Sequence, residues 1–81
     1  MFDLTLYYFP TCPYCKKVLQ VIENNDLDEI ELKNINQDQE AEAELIEVGG
    51  KRQVPCLFID GEPLYESDEI VAWLKSNLVD N

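Results

Sequence analysis

Two thiols three positions apart are the residues of this chain best suited to chemistry. They lie in Thr11-Cys12-Pro13-Tyr14-Cys15, where an apolar run hands over to a helical pattern. A thiol at a helix N-terminus faces unpaired backbone N–H groups and the positive end of the helix dipole, and both favour thiolate over thiol. Cys12 is therefore expected to be the attacking sulfur. Cys15 sits nearly one turn further in, close enough to attack a mixed disulfide formed by Cys12 and release it. The chain has 3 cysteines and no histidine, which excludes histidine-based catalysis or ligation. Three cysteines are also too few for a disulfide-stapled scaffold, and in a reducing compartment a CxxC pair is catalytic or metal-binding rather than structural.

The elements that must position these thiols follow from periodicity. Phe2 to Phe9 is apolar and aromatic and stops at Pro10, as expected of a central strand buried on both faces. Pro13 suits the first turn of a helix, where its missing N–H would have had no partner, leaving Thr11 or Cys12 as the cap. Along that helix, which runs to about Asn24, Cys15, Val18, Leu19 and Ile22 recur at i, i+3, i+4 and i+7 and form one apolar stripe. Cys15 is thus assigned to the buried side and Cys12 to an exposed tip.

Glu29 to Ile35 alternates charged with apolar residues, as in a half-buried strand near an edge, and the strand–helix–strand unit implies parallel pairing. A second helix spans Asp38 to Val48, with Ala41, Leu45 and Val48 inward, an acidic, solvated outer face (Glu40, Glu42, Glu44, Glu47) and Gly49-Gly50 as its stop. Val54 to Ile59 reads as the next strand and Asp60-Gly61 as a hairpin turn. Glu62 to Tyr65 is its antiparallel partner. Ser67 is expected to cap a last helix with Asp68 and Glu69 in its first turn and Ile70, Val71, Leu74 and Leu78 on its inner side.

Length and charge bound the function. The 81 residues make one domain, spanning 1–81, that buries about 60 to 65 % of its unfolded surface. A composition of 46 % hydrophobic residues with only 3 Gly and 4 Pro is that of a globular fold rather than a disordered chain. The net charge of −11 argues against nucleic acid or an anionic membrane as partner. No signal-peptide or membrane-span pattern is seen, so a cytoplasmic location is expected. Four of the 6 basic residues flank the motifs: Lys16 and Lys17 follow the CxxC, and Lys51 and Arg52 precede Gln53-Val54-Pro55.

The order strand, CxxC, helix, strand, helix, Val-Pro, strand, hairpin, helix resembles that of a glutaredoxin, and Cys12-Pro13-Tyr14-Cys15 matches that family's dithiol tetrapeptide. The resemblance covers the whole chain. It implies an α/β, thioredoxin-like fold in which a four-stranded mixed sheet is flanked by three helices, with a cis Val54-Pro55 peptide against the dithiol. It also implies Cys12 and Cys15 as catalytic residues and glutathione as co-substrate, with no tightly bound cofactor and no metal. On this basis the backbone of Val54 beside Pro55 would pair with the cysteinyl part of glutathione, while Ser67 and Asp68 would hold its γ-glutamyl end. Tyr14 would lie over the dithiol, and Lys16, Arg52 and Gln53 would border the same site. With Pro55 facing the dithiol, strand alternation turns Cys56 into the core.

Two positions depart from the glutaredoxin pattern. Phe9 stands where many members have a lysine, and the paired glycines usual before the last helix are absent. In their place Tyr65-Glu66-Ser67 looks like the Glu-Ser of the glutathione S-transferase N-terminal domain, which adds Glu66 to the substrate-binding set. Disulfide-containing or glutathionylated proteins are the expected partners of a monomer. Two alternatives remain: a thioredoxin-like protein disulfide reductase served by a reductase rather than glutathione, and a non-enzymatic metal or iron–sulfur module using Cys12, Cys15 and Cys56.

Overall fold

A computed structural model describes residues 3–79. In chain order the elements are β1 (Leu4–Tyr8), α1 (Pro13–Asn24), β2 (Ile30–Asn34), α2 (Gln39–Gly49), β3 (Cys56–Ile59), β4 (Glu62–Leu64) and α3 (Ser67–Asn77). One four-stranded sheet has the order β2-β1-β3-β4, with β1 parallel to β2 and antiparallel to β3, and β3 antiparallel to β4. β1 is interior and β2 is an edge, as the sequence predicts. Phe2, the first residue of the predicted strand, lies outside the described residues.

Strand alternation sorts the sheet's side chains into two cores. Leu4 and Leu6 of β1 and Leu57 of β3 join Val18 and Ile22 of α1 and Ile70 and Leu74 of α3 on one face. Tyr7, Cys56 and Phe58 meet Ala41 and Leu45 of α2 on the other, where the Tyr7 and Phe58 rings pack 4.8 Å apart. Leu6, Leu45, Leu57, Ile70 and Leu74 are fully buried. Truncating any of these leucines to alanine is expected to cost ~2–5 kcal/mol, the price of lost transfer energy and a cavity. α1 and α3 share a face of the sheet and pack on each other, which sets the start of α3 beside the start of α1.

Several boundaries differ from the predicted ones for local reasons. β3 begins at Cys56 rather than Val54, and the Val54-Pro55 peptide before it is cis. β4 ends at Leu64, which leaves Tyr65 outside the ladder. Asp60 and Gly61 both have positive φ, 51° and 89°, the geometry of a tight hairpin turn. In α2, Asp38 caps the helix, accepting from the N–H groups of Glu40 (3.0 Å) and Ala41 (3.2 Å), and Gly50 ends it in the left-handed region with φ 89°. Val48 does not turn inward as expected but is exposed. Gly49 occupies the inward position after Leu45, because the Tyr65 hydroxyl fills the space a Cβ would take.

The acidic face of α2 is not simply solvated. Glu44 accepts a hydrogen bond from the buried Tyr7 hydroxyl and pairs with Lys33 at 3.3 Å. The Tyr7 hydrogen bond and then Lys33 hold the Glu44 carboxyl below the usual carboxylate range. Burial, then Glu44, pushes the Tyr7 phenol upward. These contacts tie α2 to the central strand.

Candidate active site

Residue 12 is the cap of α1, with φ −80° and ψ 120°, and Pro13 is the first helical residue. The Cys12 sulfur accepts the Cys15 N–H at 3.4 Å, and the Cys12 carbonyl accepts the Lys16 N–H at 3.0 Å. A sulfur thus stands where a serine or aspartate oxygen usually caps a helix, at the positive end of the dipole. The Cys12 N–H donates to the Phe9 carbonyl at 3.2 Å, closing the turn that carries the chain from β1 into α1.

The two sulfurs are unequal, though by less than the helix stripe predicts. Cys15 is 0 % exposed and Cys12 9 %. Cys12 is therefore not an exposed tip but a nearly buried residue, and only its ranking above Cys15 survives. Burial pushes the Cys15 thiol up to about 12; a backbone hydrogen bond at Phe9 opposes this, and the neighbouring Cys12 adds to it. Cys15 is a neutral thiol at ordinary pH. Cys12, Cys15 and Cys56 are all free cysteines.

A groove of about 230 Å³ lies beside the dithiol, lined by Tyr14 of α1, Gln53-Val54-Pro55 before β3, and Tyr65-Glu66-Ser67-Asp68 leading into α3. It brings together seven of the nine residues that the sequence assigns to substrate binding. Neither sulfur is among the lining residues, so Tyr14, which is 64 % exposed, is the dithiol motif's contribution to the wall.

Lys16 and Arg52 do not line the groove. Lys16 borders a larger, more open cleft of about 580 Å³ along the outer face of α1 with Pro13, Lys17 and Glu23. Arg52 pairs with Glu42 of α2, and its guanidinium lies 5.9 Å from the centre of the Phe9 ring. Lys17 pairs with Asp68. The positive cluster read from the sequence is consequently half cancelled, since the cations of Lys17 and Arg52 each meet a carboxylate that the linear sequence places 51 and 10 residues away.

The start of α3 also differs from expectation. Glu66, not Ser67, is the cap residue, and it makes no side-chain capping hydrogen bond. Its carbonyl accepts the Ile70 N–H at 2.8 Å, and the first-turn residues Ser67 and Asp68, whose N–H groups have no intrahelical acceptor, line the groove. Asp68 and Glu69 add acidic charge in that turn.

Tyr65 is the groove residue that sequence reasoning missed. Its hydroxyl donates to the Lys51 carbonyl at 3.4 Å, and the Lys51 ammonium lies 4.6 Å from the centre of its ring. A Cβ on Gly49 would come within 2.2 Å of that hydroxyl. The wall of the groove therefore depends on a glycine 16 residues away. Only the apolar–polar pattern Leu64-Tyr65-Glu66 hinted at a side chain with one end wet.

Cys56 is a core thiol, 0 % exposed. It packs on the α2 side of the sheet, whereas α1 lies on the other. Burial pushes its thiol up to about 12, against lowering contributions from Leu64, Tyr65 and Lys51. Among the described residues, no group of three or more His, Cys, Asp or Glu is arranged to hold a metal ion. No described helix is long and apolar enough to cross a membrane.

A thioredoxin-like layer of four strands and three helices, with a Cys-Pro-Tyr-Cys dithiol starting its first helix and a cis-proline loop at the neighbouring groove, defines a redox-dithiol class of protein. The glutaredoxin family model matches residues 4–64. The chain belongs to the glutaredoxin family. It is 30 % identical over 79 residues to glutaredoxin 1 of Rickettsia prowazekii, which covers 95 % of this chain and 82 % of the relative. It spans only 65 % of the length of glutaredoxin 1 of Rickettsia typhi, to which it is 33 % identical over 69 residues. Among solved structures, glutathione S-transferase unclassified 2 of Bombyx mori superposes with a TM-score of 0.81 at 21 % identity, covering 98 % of this chain and 37 % of that one. The last match speaks to the fold alone.

Proposed function

We propose that this protein is a glutathione-dependent thiol–disulfide oxidoreductase that reduces protein disulfides or glutathione mixed disulfides, acting as a monomer in the cytoplasm. The observation that carries the reading is the inequality of the two sulfurs at one helix start. Cys12 caps the helix and is 9 % exposed, whereas Cys15 is fully buried and that burial pushes its thiol up.

In the reaction the Cys12 thiolate attacks one sulfur of the substrate disulfide along the S–S axis. A new S–S bond forms to Cys12, the old one breaks, and the departing thiolate takes a proton from solvent. Two routes resolve the intermediate. Cys15, its proton lost to solvent, attacks the Cys12 sulfur and expels the substrate thiolate, leaving a Cys12–Cys15 disulfide that two glutathiones then reduce; or, where the intermediate is glutathionyl, a glutathione thiolate attacks the glutathionyl sulfur, expelling the Cys12 thiolate and forming glutathione disulfide. Each cycle moves two electrons from two thiols to one disulfide.

The groove supports glutathione as the co-substrate. Val54 lines the groove, where its backbone would meet the cysteinyl part, and the first-turn N–H groups of α3, which have no intrahelical acceptor, would meet the γ-glutamyl carboxylate. The carboxylates of Glu66 and Asp68 stand nearby for the α-ammonium. In assays with a glutathionylated peptide, Cys12→Ser is expected to abolish turnover and Cys15→Ser to retain it. Equal loss in both variants rules out the glutathione-resolved route.

A second reading is favoured by Phe9 in the position of the familiar lysine and by the pairing of Arg52 with Glu42, which leaves less positive charge for glutathione's carboxylates. This is a protein disulfide reductase recharged by a thioredoxin reductase. Glutathione with its own reductase restores the dithiol under the first reading; a thioredoxin reductase alone restores it under the second.

A further inference from the structure

Two carboxylates stand at the start of α3, and the fold treats them differently. Asp68 is bound by the ammonium of Lys17, which reaches across from α1 to α3. Glu66, one residue before the helix, makes no capping bond and has no side-chain partner among the described residues. Both acids line the same groove, but Lys17 does not; it approaches Asp68 from the cleft on the outer face of α1. A protein amine therefore already sits on one of the two anions that a ligand amine would seek.

The geometry points to Lys17 as a specificity-determining residue that competes, through Asp68, with the α-ammonium of an incoming thiol. This inference rests on the proposed recognition of glutathione at the start of α3. A ligand with a free α-ammonium must share Asp68 with Lys17 or rely on Glu66, whereas a ligand whose amine is acylated loses nothing to Lys17. The pair is exposed, with side chains 53 % and 81 % accessible, so exchange is rapid and its weight is that of a surface ion pair rather than a lock. Lys17 thus lowers the preference of the groove for ammonium-bearing thiols without closing it.

The test compares two substrates in one measurement. Pre-reduced protein is mixed with a peptide carrying glutathione in disulfide linkage, or with the same peptide carrying N-acetylglutathione, and the ratio of second-order reduction rates is taken. Because the ratio cancels any change in Cys12 reactivity, it reads only the ammonium. Wild-type protein is expected to prefer the free ammonium. Lys17→Met raises that preference ~2–5-fold; Asp68→Asn lowers it and makes the added Lys17→Met silent. A preference that is unchanged or reduced in Lys17→Met, with wild-type discrimination intact, overturns the competition while leaving the glutathione site standing. A ratio of one in both the wild type and Lys17→Met overturns both, since the ammonium would then meet no carboxylate even with Lys17 removed.

Discussion

The starts of α1 and α3 face the same groove from adjacent helices, and the chain completes one of them and not the other. At α1 the Cys12 sulfur accepts the Cys15 N–H, Pro13 removes a donor that would have had no acceptor, and Cys15 is sealed in the core. At α3 the cap residue Glu66 makes no side-chain bond, and the nearby Asp68 is held from outside the groove by Lys17. Under the proposed function, the first helix start carries the chemistry and the second the recognition of a ligand. Reactivity should accordingly resist changes at α3, and substrate preference should resist conservative changes at Cys15.

The comparison breaks most severely at Cys12. Cys12→Ser keeps the cap but removes the nucleophile, and single-turnover reduction is expected to fall at least ~10³-fold in a stopped-flow assay. Retained activity would shift the chemistry to another thiol.

Gly49→Ala probes the recognition side from a distance. The new Cβ meets the Tyr65 hydroxyl, so the ring must leave its place on the groove wall, a repacking that costs ~1–3 kcal/mol. KM for the mixed disulfide should rise several-fold while the Cys12 alkylation rate is unchanged. Tyr65→Phe in the same chain removes the clashing atom, since the next ring carbon stands 3.3 Å away, and should restore KM.

The sealed thiols give the fold itself a pH signature. Cys15 and Cys56 are raised from about 9 to about 12 when folded. Below the unfolded value both states hold the proton and stability is full. Above it the unfolded chain ionises first, so the folded state binds more protons and stability falls as pH rises, by up to ~1.4 kcal/mol per unit for each thiol until about 12. Urea titrations of the reduced protein should show this alkaline loss, and Cys56→Ala should make it shallower.

The smallest effect is expected at Glu66. Glu66→Gln leaves the backbone cap in place and should weaken glutathione binding by less than ~1 kcal/mol, a few-fold in KM, with the single-turnover limit unchanged.

How far these regions could be read from the sequence follows the same division. The ranking of Cys12 over Cys15 is visible in a spacing of i, i+3, i+4 and i+7, because helical periodicity is local. The parallel pairing of β1 with β2, the hairpin at Asp60-Gly61 and the Val54-Pro55 loop were likewise legible, since each rests on neighbours in the chain or on a motif of the family. What stayed hidden depends on contacts across the fold. Lys17 meets Asp68 and Arg52 meets Glu42 only after α1, α2 and α3 have docked, so a cluster of basic residues looked like free charge. Tyr65 gained its role from the missing Cβ of Gly49, which a helix-stop reading of Gly49-Gly50 does not suggest. The cap moved from Ser67 to Glu66 because β4 ends at Leu64 and the chain enters α3 one residue early.

The most direct test of a reactive first helix start serving a ligand-dependent second one is the intact mass of the Cys15→Ser protein after exposure to glutathione disulfide. A single glutathione adduct that maps to Cys12 is predicted, because Cys12 caps the helix and keeps some exposure whereas Cys56 is fully buried. No adduct, or one on Cys56, would contradict it.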